Sequence, residues 1–368
     1  MATIQIIKQR FFIDILLFNL SIWSFCIPVN EWEWNNYGHG WYFYELAFSL
    51  VDIGKECPYT DFERKEVCMN QKGRRFLYND NTVGYVFAMP FIVGFLCFTI
   101  IPMGVSLYFS FTKYNMLSHP VFVGVRNYIR IFTDDARFPK SIRVTFFYVV
   151  VSVILKLSFA LLVAVLLTRK AKFLGFYRSI YYLPSLVGGS VSVALVWKQL
   201  FATKGLFNNL RVAMGLSRLS WFGDPKLAIW PLILMSVWQF GSSMIIFAAG
   251  LKQIPTTYYE AATIDGAGAV RRFFSITLPC LSPVILFNLI MQMITGFMSF
   301  TQVYIISNGT GDPNDATNFI ALYTYNQAFK YNDMGYASAI AWVLLVIISI
   351  VTYVLFRTSH HWVFYGNE

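Results

Sequence analysis

Six stretches, 84–111, 144–167, 177–201, 227–251, 284–307 and 336–356, are each long and apolar enough to cross a lipid bilayer. A spanning helix needs about 20 predominantly apolar residues, because the hydrocarbon core is about 30 Å thick and each helical residue rises about 1.5 Å. A water-soluble domain with one core has no place to bury six such runs. The bulk composition agrees: 57% of the 368 residues are apolar, 18% aromatic and only 13% charged, with mean hydropathy +0.53. Soluble domains carry roughly a quarter charged residues. A single-core cytosolic enzyme and a disordered chain are both excluded, the latter because disorder requires low hydrophobicity. The predicted fold class is an all-α polytopic membrane protein with six core transmembrane helices.

A seventh apolar run, 11–29, follows Lys8 and Arg10 but contains Asp14, and a shorter aromatic run at 41–53 is too short to span. Cys26-Ile27-Pro28-Val29 makes a poor cleavage site, so no removed signal peptide is expected. Residues 1–72 are therefore assigned to an N-terminal extension with a candidate extra membrane helix at 11–29, and 73–368 to the transmembrane domain. The net charge of +10 does not indicate nucleic acid, because Lys and Arg fall in short clusters between apolar runs. Such clusters set membrane orientation, since Lys and Arg near helix ends stay cytoplasmic. Lys72, Arg74 and Arg75, then Arg169, Lys170, Lys172 and Arg178, then Lys252, Arg271 and Arg272, and finally Arg357 put both ends of the core inside. The basic residues of 112–143 and 202–226 dissent. The five Cys have no CxxC spacing, so no metal or redox pair is indicated; Cys57 and Cys68 are free thiols or a pair if their stretch faces an oxidising side.

The most informative stretch is the loop 252–283. Pro255 suits a first helical turn, Glu260-Ala261-Ala262 is compatible with a helix, and Gly266 and Gly268 interrupt it with a turn. A second helical piece carrying Arg271, Arg272, Phe273 and Phe274 is expected to stop at Pro279 and Pro283. Two short helices at an angle on the basic side make a projecting knob.

Glu260, Ala261, Ala262, Gly266, Ile276, Leu278 and Pro279 fill, without a gap, the pattern Glu-Ala-Ala, three residues, Gly, nine residues, Ile-x-Leu-Pro. This resembles the signature loop of binding-protein-dependent ABC import permeases. Asp265 and Phe274, with Phe176-Tyr177-Arg178, Gly205-Leu206-Phe207-Asn208 and Ala249-Gly250-Leu251, resemble the carbohydrate-importer branch, closest to its maltose-type first permease subunit. The likeness covers about 80–368, and the long N-terminal extension departs from six-helix members. It implies a helix around Glu260 seated in a cleft of a separate ATPase subunit, where Glu260 accepts a charge-assisted hydrogen bond, Ala261 and Ala262 allow close approach, and Gly266 permits the turn with Asp265 beside it. It also implies a second permease subunit, two ATPase subunits, an extracytoplasmic solute-binding protein, a sugar substrate and a bacterial cytoplasmic membrane. No nucleotide-binding Gly-x-x-x-x-Gly-Lys-Ser/Thr run occurs, so ATP and Mg are expected on the partner ATPase, and no catalytic residue, cofactor or metal on this chain.

Polar groups inside spans usually face a partner or a water-filled path. Asn288, Gln292, Thr295, Ser299 and Gln302 recur at spacings that put them on one helical face, with Gly296 beside them. Trp238, Gln239 and Ser242 add an aromatic ring and hydrogen-bonding groups, a mixture suited to sugars. The resemblance places Gln292, Thr295, Gly296 and Ser299, and more loosely Trp238, Gln239 and Ser242, at path-lining positions; gluing helices together is the other reading. Lys156 falls mid-span, where it faces the path and attracts an acidic substrate, pairs with a carboxylate of the partner permease, or lies shallower than the boundaries drawn. The competing functions are an ion-coupled secondary transporter or channel, disfavoured because the six strong segments lack Asp and Glu, and a membrane enzyme, disfavoured for want of an acid–base or metal cluster.

Overall fold

The computed structural model describes residues 80–168 and 174–364. The extension 1–72, its candidate helix at 11–29 and the Cys57–Cys68 question lie outside the described residues. The chain divides into two compact units after Val105. The first unit's described part is helical, and α1 (Ala88–Ser110) carries exposed Met89, Phe91, Ile92 and Phe98, as a lipid-facing helix should.

The second unit holds most of the architecture. A two-stranded antiparallel ribbon pairs β1 (Thr112–Lys113) with β2 (Val121–Phe122), in register Thr112 with Phe122. Then follow α2 (Arg126–Thr133), α3 (Arg137–Leu167), α4 (Leu174–Val187), α5 (Val191–Leu200) and α6 (Leu206–Ala213). The pair α7 (Trp230–Trp238) and α8 (Gly241–Gln253) leads into α9 (Thr256–Ile264) and the long α10 (Ala269–Phe297). The short α11 (Thr301–Ile306) and α12 (Ile320–Tyr325) precede α13 (Met334–Ser359). Among the described residues four helices, α1, α3, α10 and α13, are each long and apolar enough to span, and two bent pairs bring the total to as many as six. The expected class, all-α and polytopic, is the observed one.

Helix α3 is the pillar. Its 31 residues rise about 46 Å, and its only Pro, Pro139, sits in the first turn, where a missing N–H costs nothing. Asp135 Oδ1 accepts from the Arg137 and Phe138 amides at 2.9 and 3.2 Å, satisfying two donors of that first turn. One face of α3, with Tyr148, Val149, Val153, Leu157, Ala160 and Ala164, is buried in the main apolar core, together with Leu232, Ile233 and Met235 of α7 and Met244 and Phe247 of α8. The opposite face, with Ile154, Leu155, Leu162 and Leu166, is exposed and apolar, the pattern of a helix with lipid on its outer side.

Two ends are distinguishable. At one, Asp135 Oδ2 accepts hydrogen bonds from the hydroxyls of Tyr323 and Tyr336, Arg130 pairs with Asp333 at 2.7 Å and lies over the Tyr336 ring, and Lys140 pairs with Asp315 at 3.7 Å. At the other, the Phe364 amide donates to Ser282 Oγ at 2.8 Å, tying the C-terminal segment to the loop at 252–283. The dissenting basic residues of 112–143 thus include Arg130 and Lys140, both committed to carboxylates of 312–333.

The loop departs from expectation in one respect. Pro279 and Pro283 do not stop the second helical piece, since α10 runs from Ala269 to Phe297. A wide π-turn at Phe273–Thr277 takes the carbonyls just before Pro279 out of the register its ring would strike. The Pro279 carbonyl, which Pro283 cannot serve with an N–H, accepts instead from Ser282 Oγ at 2.6 Å.

Burial alone would push the Asp135 carboxyl up, but hydrogen bonds from Tyr323, Tyr336 and the Arg137 and Phe138 amides hold it below its ordinary value of 3.8. A carboxyl depressed in the folded state stabilises it above the unfolded pKa, and that contribution fades as pH falls through the folded one. Asp135→Asn should therefore cost about 1–2 kcal/mol near neutral pH, and progressively less in acid below the ordinary value. Thermal melts of the purified protein at pH 7 and below pH 4 check this. An equal deficit at both would show that the carboxylate charge is not the source.

Candidate translocation site

Three spanning runs are broken rather than straight, and the breaks meet. Helices α4 and α5 turn through 97° across Gly188-Gly189-Ser190, and α7 and α8 through 44° at Gln239-Phe240. The run 284–307 is interrupted at Met298-Ser299-Phe300, between α10 and α11. Each interruption frees backbone groups that have no water to bond to inside a bilayer, so the protein must satisfy them itself.

The Gly188 carbonyl does much of this by accepting from two amides, Gln239 Nε2 and Gln302 Nε2, both at 3.2 Å. One residue from each of the other two breaks is thereby fastened to the first. Ser185 Oγ donates to the Gln239 carbonyl at 3.2 Å and accepts from the Ser242 amide at 2.9 Å, bridging the second break from α4. Ser190 caps α5 by accepting from the Val193 amide. Ser299 Oγ donates to Gln302 Oε1 at 3.2 Å, and the Tyr148 hydroxyl of α3 reaches the hydroxyls of Ser236, Ser299 and Ser152. Gly188 has no room for a side chain, since a Cβ there would lie 2.3 Å from Gln239 Cδ. The result is a polar cluster drawn from α3, α7 and all three breaks.

The candidates from sequence divide accordingly. Gln239, Ser242 and Ser299 belong to the cluster, as does Gln302. The face inferred for Asn288, Gln292, Thr295, Ser299 and Gln302 is continuous only through Thr295, because α10 ends at Phe297, Ser299 lies in the break and Gln302 belongs to α11. Thr295 is exposed and its hydroxyl donates back to the Met291 carbonyl. Asn288 is buried, donating to the Val284 carbonyl with Oδ1 unpaired. Gln292 is half-buried. Gly296 is spoken for by a helix contact, since a Cβ there would meet Val149 of α3 at 3.2 Å. Trp238 packs its ring on Trp197 at 5.8 Å. Lys156 is 8% exposed, on the same face of α3 as Tyr148 and Ser152.

Sequence reasoning missed Tyr148, Ser152, Ser185, Gly188 and Ser236. The available signal was the pair Gly188-Gly189 inside an apolar run, which marks a break when no strand pattern surrounds it.

At the C-terminal end of α8 stands the knob. Helix α9 begins after Pro255 and buries none of its residues. It ends in a Schellman arrangement, with the Ala267 amide donating to the Ala262 carbonyl at 2.9 Å and the Gly266 amide to the Thr263 carbonyl at 3.1 Å. Gly266 takes φ +73, a conformation that glycine adopts without penalty. Two side-chain bonds brace α9 on α10: Tyr259 Oη with Thr277 Oγ1, and Arg272 Nη1 to Thr263 Oγ1, both 2.9 Å. Glu260, Ala261 and Asp265 are left exposed and Ala262 half-exposed, and Glu260 has no ion-pair partner among the described residues. Ile264, Val270 and Phe274 expose apolar surface beside them, Ile264 to 87%.

Spanning helices broken around a common polar cluster, with a braced and uncovered helix at one end, define a multi-pass membrane transport protein. The chain belongs to the family described as binding-protein-dependent transport system inner membrane component, whose model matches residues 156–364. It is 52% identical over 298 residues to the probable ABC transporter permease protein YesP of Bacillus subtilis, covering 81% of this chain and 96% of that one. It is 32% identical to the trehalose/maltose transport system permease protein MalF of Thermococcus litoralis, covering 79% and 98%. In fold it is similar to a chain of a bacterial alginate ABC transporter solved with an alginate pentasaccharide-bound periplasmic protein, at TM-score 0.67 and 20% identity over 78% of this chain and 96% of that. The resemblance carried by Glu260–Pro279 to binding-protein-dependent import permeases of the carbohydrate branch therefore holds, and the relatives are permease proteins rather than enzymes.

The geometry at Gly188 makes a prediction. Gly188→Ala should lower the melting temperature of the purified protein by several degrees, because the new methyl meets the Gln239 side chain. Combining it with Gln239→Ala should recover part of that loss, while the close Pro184 carbonyl, 2.6 Å from the Cβ position, keeps recovery incomplete. A strictly additive double-mutant cycle would sever the inferred contact.

Proposed function

We propose that this chain is one of two permease subunits of an ATP-driven ABC importer for a sugar or oligosaccharide. The observation that carries the reading is the knob: a helix held rigidly on α10 by two side-chain bonds, yet burying nothing of its own and presenting an unpaired Glu260 beside uncovered apolar residues. A free-standing loop would not hold so much apolar surface in place. Such a surface suits a protein partner, and the family supplies one in an ATPase subunit.

In this reading α9 sits in a cleft of the ATPase, with Glu260 accepting a charge-assisted hydrogen bond from a basic group there, Ala261 and Ala262 at closest approach, and Asp265 and Gly266 closing the helix. ATP and Mg are handled by that partner. The end bearing α9 is cytoplasmic, so Arg130, Lys140 and the segment 312–333 face the side from which a solute-binding protein delivers its cargo. Residues 1–72 are an extension to the six-helix core. Closure of two ATPase subunits moves α9, and α10 carries the movement to the break at 298–300 and so to the cluster at Gly188. The hydroxyl and amide groups of Tyr148, Gln239, Ser299 and Gln302 are of the kind that match sugar hydroxyls, with Gln292 and Ser242 nearby in sequence. Relatives named for arabinooligosaccharides and for lactose support the substrate class.

Glu260→Lys should leave the chain folded in the membrane and paired with its second permease, while glycan-stimulated ATPase activity of the reconstituted complex drops at least tenfold. Pull-down of the ATPase and phosphate release measure the two halves. Wild-type ATPase stimulation in this variant would remove α9 from the coupling path. Stimulation by no saccharide at all in the wild-type complex would leave a permease with another cargo.

A further inference from the structure

Lys156, 8% exposed, is the one charged residue among the described residues that is buried. It stands 19 residues after Arg137, about 28 Å along the axis of α3, near the middle of the apolar run 144–167. No hydrogen bond or ion pair engages it among the described residues. A buried ammonium without a counter-charge is costly, and in membrane segments such groups mark substrate or ion pathways.

Its surroundings on α3 say which. Ser141, Thr145, Tyr148, Ser152 and Lys156 recur at spacings of four, three, four and four, and all five are buried. They form a polar column down one helical face from the Asp135 end, one turn apart. Tyr148 and Ser152 are already part of the cluster at the three breaks. Beyond Lys156 the same face turns apolar, with Leu157, Ala160, Val163, Ala164 and Leu167. Lys156 is thus the innermost polar group of the column, a single turn past hydroxyls suited to sugar.

We propose that Lys156 is the counter-charge for an acidic sugar, so that this importer carries anionic oligosaccharides whose carboxylate meets Lys156 when the cluster opens around them. The inference rests on the sugar-importer reading and narrows it. A carboxylate of the partner permease is the less fitting occupant, because Lys156 is covered by its own chain rather than presented on an outer surface. A substrate that passes through the cluster reaches it from within.

The test uses the whole reconstituted importer in proteoliposomes, supplied with its binding protein, radiolabelled uronic-acid oligosaccharides and the same oligosaccharides with carboxylates reduced to alcohols. Wild type should import the acidic set. Lys156→Met should lower that uptake about tenfold or more, the range expected for losing one charge-assisted hydrogen bond, with complex yield unchanged, and Lys156→Arg should restore most of it. Acidic uptake by Lys156→Met at the wild-type rate would overturn the proposal. So would equal losses for acidic and reduced glycans, which marks a structural role, or loss of assembly with the second permease, which marks an interface pair. Wild-type import of neutral glycans alone would refute the anionic cargo while leaving the sugar importer standing. Import of neither would end both.

Discussion

A single carbonyl, that of Gly188, accepts a hydrogen bond from each of two glutamines, and the interior of the protein is organised around it. In water such a bond would contribute little, since solvent would serve the same groups. Inside a bilayer there is no solvent to substitute, and broken helices survive only where protein groups take up the freed donors and acceptors. Gln239 and Gln302 sit at the other two breaks, so the bonds that make one interruption tolerable also fix the positions of the rest. Ser185 does the same for the α7–α8 junction, accepting from one strand of backbone and donating to another.

In the proposed importer this arrangement is what would let the knob and the cluster act on one another. Helix α10 begins beside α9, to which Tyr259–Thr277 and Arg272–Thr263 bind it, and ends at Phe297, two residues before Ser299. Its 29 residues are continuous despite two prolines, because a π-turn and Ser282 absorb what Pro279 and Pro283 disturb. A helix stopped at Pro279 would have hinged there and dissipated any motion of α9. A continuous one would deliver it to the break. The close seat of Gly296 on Val149 then ties the far end of α10 to α3, the least interrupted element of the second unit.

Most of the spans were legible in sequence, because about 20 apolar residues in a row leave a chain few alternatives. The knob was legible for a different reason: Pro255 and Gly266 act locally, one presetting φ at a helix start and the other permitting φ +73 at its end. The breaks were not. Hydropathy stays high through 177–201 and 284–307, and the spacing of Asn288, Gln292, Thr295, Ser299 and Gln302 fits a straight helix well. What ends the helix at Phe297 is the fit of Gln302 to a carbonyl 114 residues earlier in the chain, and periodicity carries no information about such a partner. The Asp135 site is hidden in the same way, its phenols lying 188 and 201 residues away. Gly296, whose missing side chain leaves room for a ligand or for a close helix, serves the second, seating Val149 of α3.

The polar column on α3 follows from these constraints. A helix buried on one face in a membrane protein has no need of polar residues there, since apolar side chains pack at least as well and satisfy themselves. Thr145 accounts for itself locally, donating to the Ser141 carbonyl and accepting from the Ile320 amide at the start of α12. Tyr148 accounts for itself through the hydroxyls of Ser236, Ser299 and Ser152, and Ser152 donates to the Val149 carbonyl at 3.3 Å. Lys156 does not, and it stands where the column ends and an apolar face begins. A group whose charge nothing among the described residues balances is a demand on something that comes and goes, and in the proposed importer that something is the cargo.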